Sequence, residues 1–220
     1  MVGKRGVAVI SMGLTPVVAS EFLLELEERG VQVDRALLVC TGVSVYSYYA
    51  LRVAFGAAER LDLPQLKVPR YVELNAYTLD VEDILRPEDS RSYRTQFAHA
   101  IRTALKWAGG DPASVYVCVA GGRKTMPIDA TLVAWVHKIT NVYHVVAPTV
   151  PGIQQEFTSL LLRDEEFRNQ LKKYHDKPKD APIEFVEKVA KYCFPPADLE
   201  YYIVRIPDLK QVSEELGLRS

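Results

Sequence analysis

Five short, mostly apolar runs, each but the last leading into a segment with helical spacing, constrain this chain more than any other feature. The runs are Val7 to Ile10, Ala36 to Cys40, Tyr71 to Leu74, Val115 to Val119 and Val142 to Val146. A strand that is apolar at nearly every position has to be covered on both faces, which in practice means a parallel sheet with helices on either side. The connecting segments fit that role. Val18, Phe22 and Leu26 recur at helical spacing, with Thr15 as the expected N-cap, Pro16 as the first helical residue and Gly30 as the stop. A second helix is expected over Val45 to Leu61 and a third near Tyr93 to Trp107. A fourth follows Thr125 as N-cap, with Ile128, Leu132, Trp135, Val136 and Ile139 on one face. The expectation is an α/β, Rossmann-like parallel sheet over residues 1–150.

After Pro151 the alternation stops. A polar helix from about Gln154 to Tyr174, a Lys/Asp/Pro linker over Lys177 to Pro182, a helix near Ile183 to Tyr192 and a strand over Tyr201 to Ile206 make residues 151–220 a small, mainly helical α+β appendage. The chain has 48% hydrophobic residues, ample for a continuous core. Its 27 basic and 28 acidic side chains give no bulk positive charge, so no duplex DNA or anionic membrane is expected as a partner. The opening MVGKRGVAVISMGL is interrupted by Gly13 and followed by Glu21, which fits a first strand in a cytoplasmic protein, not a signal peptide or a membrane span. Cys40, Cys118 and Cys193 are widely spaced and odd in number, so buried free thiols are expected and neither disulfides nor zinc.

In a doubly wound sheet of order 3-2-1-4-5 the ligand site lies beyond the carboxyl ends of strands one and four, where the strand order reverses. The loops Ser11 to Thr15 and Ala120 to Thr125 follow those two strands. Each leads into a helix and so offers backbone N–H groups and a positive dipole end to an anion. Together they predict a phosphate-sized cradle with Arg123 and Lys124 as its cations. The second loop is not a P-loop, because the Walker pattern puts glycine directly before its lysine and Arg123 stands there. The first lacks the dinucleotide G-x-G-x-x-G.

The pair "ISMGLTPVV" and "AGGRKTM" resembles the loops of CRISPR-associated CARF domains, and among them the stand-alone ring nucleases. The resemblance covers residues 1 to about 150. It implies a homodimer that binds cyclic tetra-adenylate in paired clefts and cuts it, without metal or other cofactor, into linear di-adenylate. The family's first-loop serine falls on Ser11 and its second-loop lysine on Lys124, the expected catalytic pair. Gly13, Leu14, Thr15, Thr41, Gly42, Gly121, Gly122, Arg123, Thr125 and Met126 are the expected ring-binding residues. An RNA ring carries its own nucleophile, the 2′-hydroxyl, so the protein need only align it and stabilise charge at phosphorus.

Other features have plainer readings. Tyr46, Tyr48 and Tyr49 are placed to stack on adenines or simply to half-bury the start of a helix. Arg123 could hold a phosphate or brace its own loop. The acidic set Asp80, Glu82, Asp83, Glu88 and Asp89 reads as a solvated, helix-capping surface and not as a metal site. Arg-to-His spacings occur at Arg94 to His99 and Arg168 to His175. The second defines an alternative, a ring-activated effector RNase; a sensor that binds the ring without cutting it is another.

Overall fold

The computed structural model describes residues 4–81, 84–122, 125–147 and 152–217. In chain order the elements are β1 (Lys4–Ser11), α1 (Val17–Glu28), β2 (Val31–Thr41), α2 (Val45–Gly56), β3 (Glu73–Leu79), α3 (Pro87–Trp107), β4 (Val115–Cys118), α4 (Thr125–Val136) and β5 (Val142–Val146). They are followed by α5 (Ile153–Arg163), α6 (Glu165–Tyr174), α7 (Ile183–Cys193), β6 (Tyr202–Arg205) and α8 (Leu209–Glu215). The strands form one six-stranded sheet of order β3-β2-β1-β4-β5-β6. The first five are parallel and β6 runs antiparallel to β5. The fold is therefore α/β and Rossmann-like, with the reversal of order between β1 and β4, where the alternating pattern put it.

Both faces of the sheet are buried, which is why the central strands are apolar without alternation. Ala8, Ile10, Leu38, Cys40, Cys118 and Tyr143 pack on one face against α1, α2 and the helices after residue 152. Val7, Val9, Leu37, Val39, Val117 and Val142 pack on the other against α3 and α4. The chain after residue 152 contributes Phe157, Leu161, Phe167, Val186, Val189 and Phe194 to the first of these cores. Its strand β6 extends the same sheet. All three cysteines are free and buried, and burial pushes the Cys40 and Cys118 thiols up to about 12. No helix among the described residues is long and apolar enough to cross a membrane.

Several boundaries differ from the sequence reading. β3 spans Glu73–Leu79, not Tyr71 to Leu74. It is an edge strand, paired on one side only, so it has no need of a continuous apolar run and Tyr71 is left exposed. α3 starts at Pro87, six residues early, because Asp89 accepts the backbone N–H groups of Leu85 (3.1 Å) and Arg86 (2.9 Å) across its first turn. That is where one member of the acidic set is used; Glu82 and Asp83 lie outside the described residues. α2 ends at Gly56, short of Leu61, at a point where any Cβ would collide with Pro178. The single helix expected over Gln154 to Tyr174 is two, since Asp164 leaves helical geometry and its side chain caps α6 by accepting from the Phe167 N–H at 2.9 Å.

Helix α4 carries the largest correction. Met126, Ala130, Val133 and Ala134 face the sheet, while Ile128, Leu132 and Val136 are 63%, 45% and 81% exposed. The small residues on the inner side let the helix lie close to the strands, and the bulky ones form a stripe at i, i+4, i+8 on the outside. Ile139 is buried beyond the helix end.

Candidate functional site

The strand order leaves an opening beyond the carboxyl ends of β1, β2, β4 and β5, and a cleft of about 590 Å³ occupies it. Its walls come from both glycine loops, from Thr41, Val43 and Ser44 at the end of β2, from His144, Val145 and Ala147 at the end of β5, and from Val18 and Glu21 of α1, with Gln154 of α5 at one side. The two loops fit so closely that side chains are excluded. A Cβ on Gly13 would lie 2.8 Å from the Gly122 nitrogen, and one on Gly121 would fall on the Ser11 carbonyl oxygen. Gly122 also has φ of +95°, a conformation that other residues adopt only with strain.

The expected site residues do not all arrive in the same place. Gly13, Leu14, Thr15, Thr41, Gly121, Gly122 and Met126 line the cleft. Gly42 lies next to that lining, in the short turn Gly42–Ser44. Thr125 is the first residue of α4, not a cap outside it, and it is exposed. Thr15 likewise does not cap α1: the cap position falls on Pro16, and no side chain satisfies it. Arg123 and Lys124 lie outside the described residues. Ser11 is the last residue of β1 and is fully buried on the α3 side of the sheet. Its hydroxyl shares a 3.1 Å hydrogen bond with the Tyr93 hydroxyl and donates to the Gly121 carbonyl at 3.2 Å. In this geometry Ser11 fixes the spacing of the two loops and does not border the cleft.

The residue missing from the sequence reading is Glu21. It stands on the second turn of α1, is 2% exposed, and its Oε2 has no hydrogen-bond partner among the described residues. Burial pushes its carboxyl up to about 7. Glu25, one turn along, is also buried, but its carboxylate accepts from Arg29 at 3.3 Å and from the Ile203 N–H at 3.4 Å. The available signal was positional: Glu21 and Glu25 directly precede Phe22 and Leu26 and so share the inward side of the helix.

An unpaired buried carboxyl costs stability whenever it is ionised. Burial raises the carboxyl above its ordinary value of 4.5, so the native state holds the proton to higher pH than the unfolded chain does. The contribution of this one group to stability is then greatest below about pH 4.5 and is lost as pH rises from there through about 7. Glu21→Gln, which cannot ionise, is expected to be more stable than wild type by about 3 kcal/mol at pH 8, with the difference closing towards pH 4. Denaturant melts of both proteins across that range check it; a difference independent of pH contradicts it.

The remaining candidates are engaged within the fold. Tyr46 packs edge-on to Tyr49, whose ring lies 4.1 Å from that of His175, and Lys172 sits over Tyr46. Arg94 pairs with Asp129 at 2.6 Å and donates to Ser90 at 2.8 Å. Arg168 donates to the Leu161 carbonyl at 2.7 Å, tying α6 to α5, while His175 Nδ1 meets the Lys172 carbonyl at 2.7 Å.

Comparison with known proteins adds a family. A family model described as CRISPR-associated protein NE0113 matches residues 15–190. No curated protein matches the chain. Among solved structures, protein VC1899 from Vibrio cholerae superposes with a TM-score of 0.44 at 12% identity, over 63% of this chain and 30% of that one. The match thus spans less than a third of that protein's length.

Proposed function

The chain belongs to the CRISPR-associated protein NE0113 family and so acts in CRISPR defence, and from that premise we propose that its cleft binds cyclic tetra-adenylate and opens the ring. The observation that carries this reading is the side-chain-free meeting of two glycine loops over the 590 Å³ cleft at the switch point. Backbone there can approach an anion closely, as a phosphodiester requires. A ribose 2′-oxygen of the ring attacks the adjacent phosphorus, the P–O5′ bond breaks, the 2′-hydroxyl proton leaves to solvent and the departing 5′-oxygen takes one up. Two such cuts give two linear di-adenylates ending in 2′,3′-cyclic phosphate. Lys124 balances the charge that builds on the phosphoryl oxygens. Ser11 acts as a positioning residue, through the Gly121 carbonyl that its hydroxyl holds.

The reading includes a homodimer. A ring with repeated phosphates is matched by two copies of one cleft about a twofold axis. The exposed stripe Ile128, Leu132 and Val136 supports it, because α4 starts where the second loop ends and carries an apolar surface that no described element covers. Leu132→Asp is expected to elute as a monomer where wild type elutes at twice the 24.7 kDa chain mass, and to lose ring opening. Light scattering with size exclusion decides it, and a dimeric Leu132→Asp protein removes this stripe from the interface.

One incubation tests the function: labelled cyclic tetra-adenylate with the purified protein in EDTA, with and without an unrelated RNA. Linear di-adenylate bearing a 2′,3′-cyclic phosphate supports ring opening. An intact but bound ring makes the protein a sensor, and degraded bystander RNA makes it an effector RNase.

A further inference from the structure

Glu21 is the one acidic side chain among the described residues that line the cleft. The cleft lining that it shares is mixed, with apolar Met12, Leu14, Val18 and Val145 alongside polar Thr15, Thr41, Ser44, His144 and Gln154. A carboxyl kept from water without a partner is destabilising unless something brought to the site satisfies it. Glu25 shows that the same helix can supply protein partners to a buried acid. At Glu21 no described residue does so.

We propose that Glu21 reads an adenine of the bound ring by its edge, its carboxyl pairing with the ring nitrogen and the exocyclic amine that lie side by side on that base. This rests on the cyclic oligoadenylate reading above. Adenine presents an acceptor (N7) beside a donor (N6–H), whereas guanine presents two acceptors, N7 and O6, on the same edge. A protonated carboxyl presents one donor and one acceptor on a single fork and so complements adenine in both positions. An ionised carboxylate only accepts, and leaves the ring nitrogen unpaired. The apolar members of the same lining, Leu14, Val18 and Val145 among them, give the flat faces of a base something to lie against.

Protonation of Glu21 is then part of recognition, and every group near it bears on that. Glu25 of α1 is held by Arg29. The Cys118 thiol of β4 is pushed up to about 12 and stays neutral. The phenols of Tyr201, ahead of β6, and Tyr192 of α7 are raised well above their usual range by burial and stay neutral as well. Lys191 of α7 borders, with Glu21, a separate cavity of about 30 Å³. His144 of β5 is exposed at the cleft wall.

The test titrates a 2′-deoxy analogue of cyclic tetra-adenylate, which cannot be cut, into full-length wild type, Glu21→Gln and Glu21→Leu between pH 6 and pH 8. With Glu21 pushed up to about 7, wild-type affinity is expected to fall about tenfold over that interval. Glu21→Gln keeps a donor and an acceptor without a titrating proton, so it should bind about as wild type does at pH 6 and show a flat profile. Glu21→Leu should bind at least about tenfold more weakly at pH 6, since the base edge then faces an apolar wall. Circular dichroism melts of all three establish that each is folded at the titration temperature. A Glu21→Leu protein with wild-type affinity overturns the proposal, as does a Glu21→Gln profile that still falls with pH. A Glu21→Gln protein as weak as Glu21→Leu overturns it too. In each of those cases the ring reading stands, because wild type binds; a wild type that fails to bind the analogue at any pH overturns both.

Discussion

Lys124→Ala is expected to open cyclic tetra-adenylate at least about 100-fold more slowly than wild type, the range found when one charge-stabilising donor is removed from a reacting centre. On the proposed reading the ring supplies its own nucleophile, and the described residues of the two loops, Ser11 to Thr15 and Ala120 to Gly122, include no acid or base, so charge stabilisation is the larger part of what the protein can add. The lysine follows the Gly121-Gly122 pair that lines the cleft. Arg168→Ala supplies the contrast: its guanidinium is spent on the Leu161 carbonyl between α5 and α6, and its loss should leave the rate unchanged. Single-turnover rates with labelled ring compare the two. Lys124→Ala cleaving at the wild-type rate removes the lysine from the mechanism, and a dead Arg168→Ala with a live Lys124→Ala reverses the assignment in favour of an RNase-like site.

Gly121→Ala should be the most damaging glycine-to-alanine change among the described residues. Its Cβ would land on the Ser11 carbonyl oxygen and 2.7 Å from the Gly13 nitrogen, both backbone atoms of the facing loop. Backbone cannot swing aside as a flexible side chain can, so the loops must part, with a cost of about 1–3 kcal/mol for overpacking. Parting also breaks the hydrogen bond from Ser11 to the Gly121 carbonyl and widens the anion cradle. Loss of at least about tenfold in ring affinity is expected alongside the drop in melting temperature, because each 1.4 kcal/mol is tenfold in binding. Gly109→Ala is the matched control. Gly109 has φ of +65° but nothing within 4 Å of an added Cβ, so it should lose a little stability from backbone strain and no affinity. Paired melts and titrations of the two variants test this; a Gly121→Ala protein with wild-type values for both refutes the contact.

How much of this was legible from residues alone depended on where each element lies in the sheet. Strands β1 and β4 are visible because they are covered on both faces and read as apolar runs. β3 was displaced because an edge strand carries polar residues that the pattern discounts. In α4 the apolar side was seen, but it is the outer one: spacing identifies a stripe and does not say whether strands or solvent lie beneath it. The cleft was located from topology and two glycine loops, while Glu21 escaped because a charged residue between apolar ones reads as a solvent-facing position. The sequence pattern puts Ser11 in a loop, whereas pairing with Val39 carries the strand through to it. The roles of Arg123 and Lys124 rest on the resemblance of their loop and its chemistry.

The hydrogen bonds of Ser11 have a mechanical consequence. Tyr93 belongs to the core on one side of the sheet, and α1 with Glu21 covers the other. Through Ser11 the Tyr93 hydroxyl is linked to Gly121, whose loop forms a wall of the same cleft that Glu21 borders. The cleft therefore joins two layers of the protein that the sheet elsewhere insulates from one another. A tilt of α3 behind the sheet and a shift of α1 in front of it would both be felt as a change in the width of one gap.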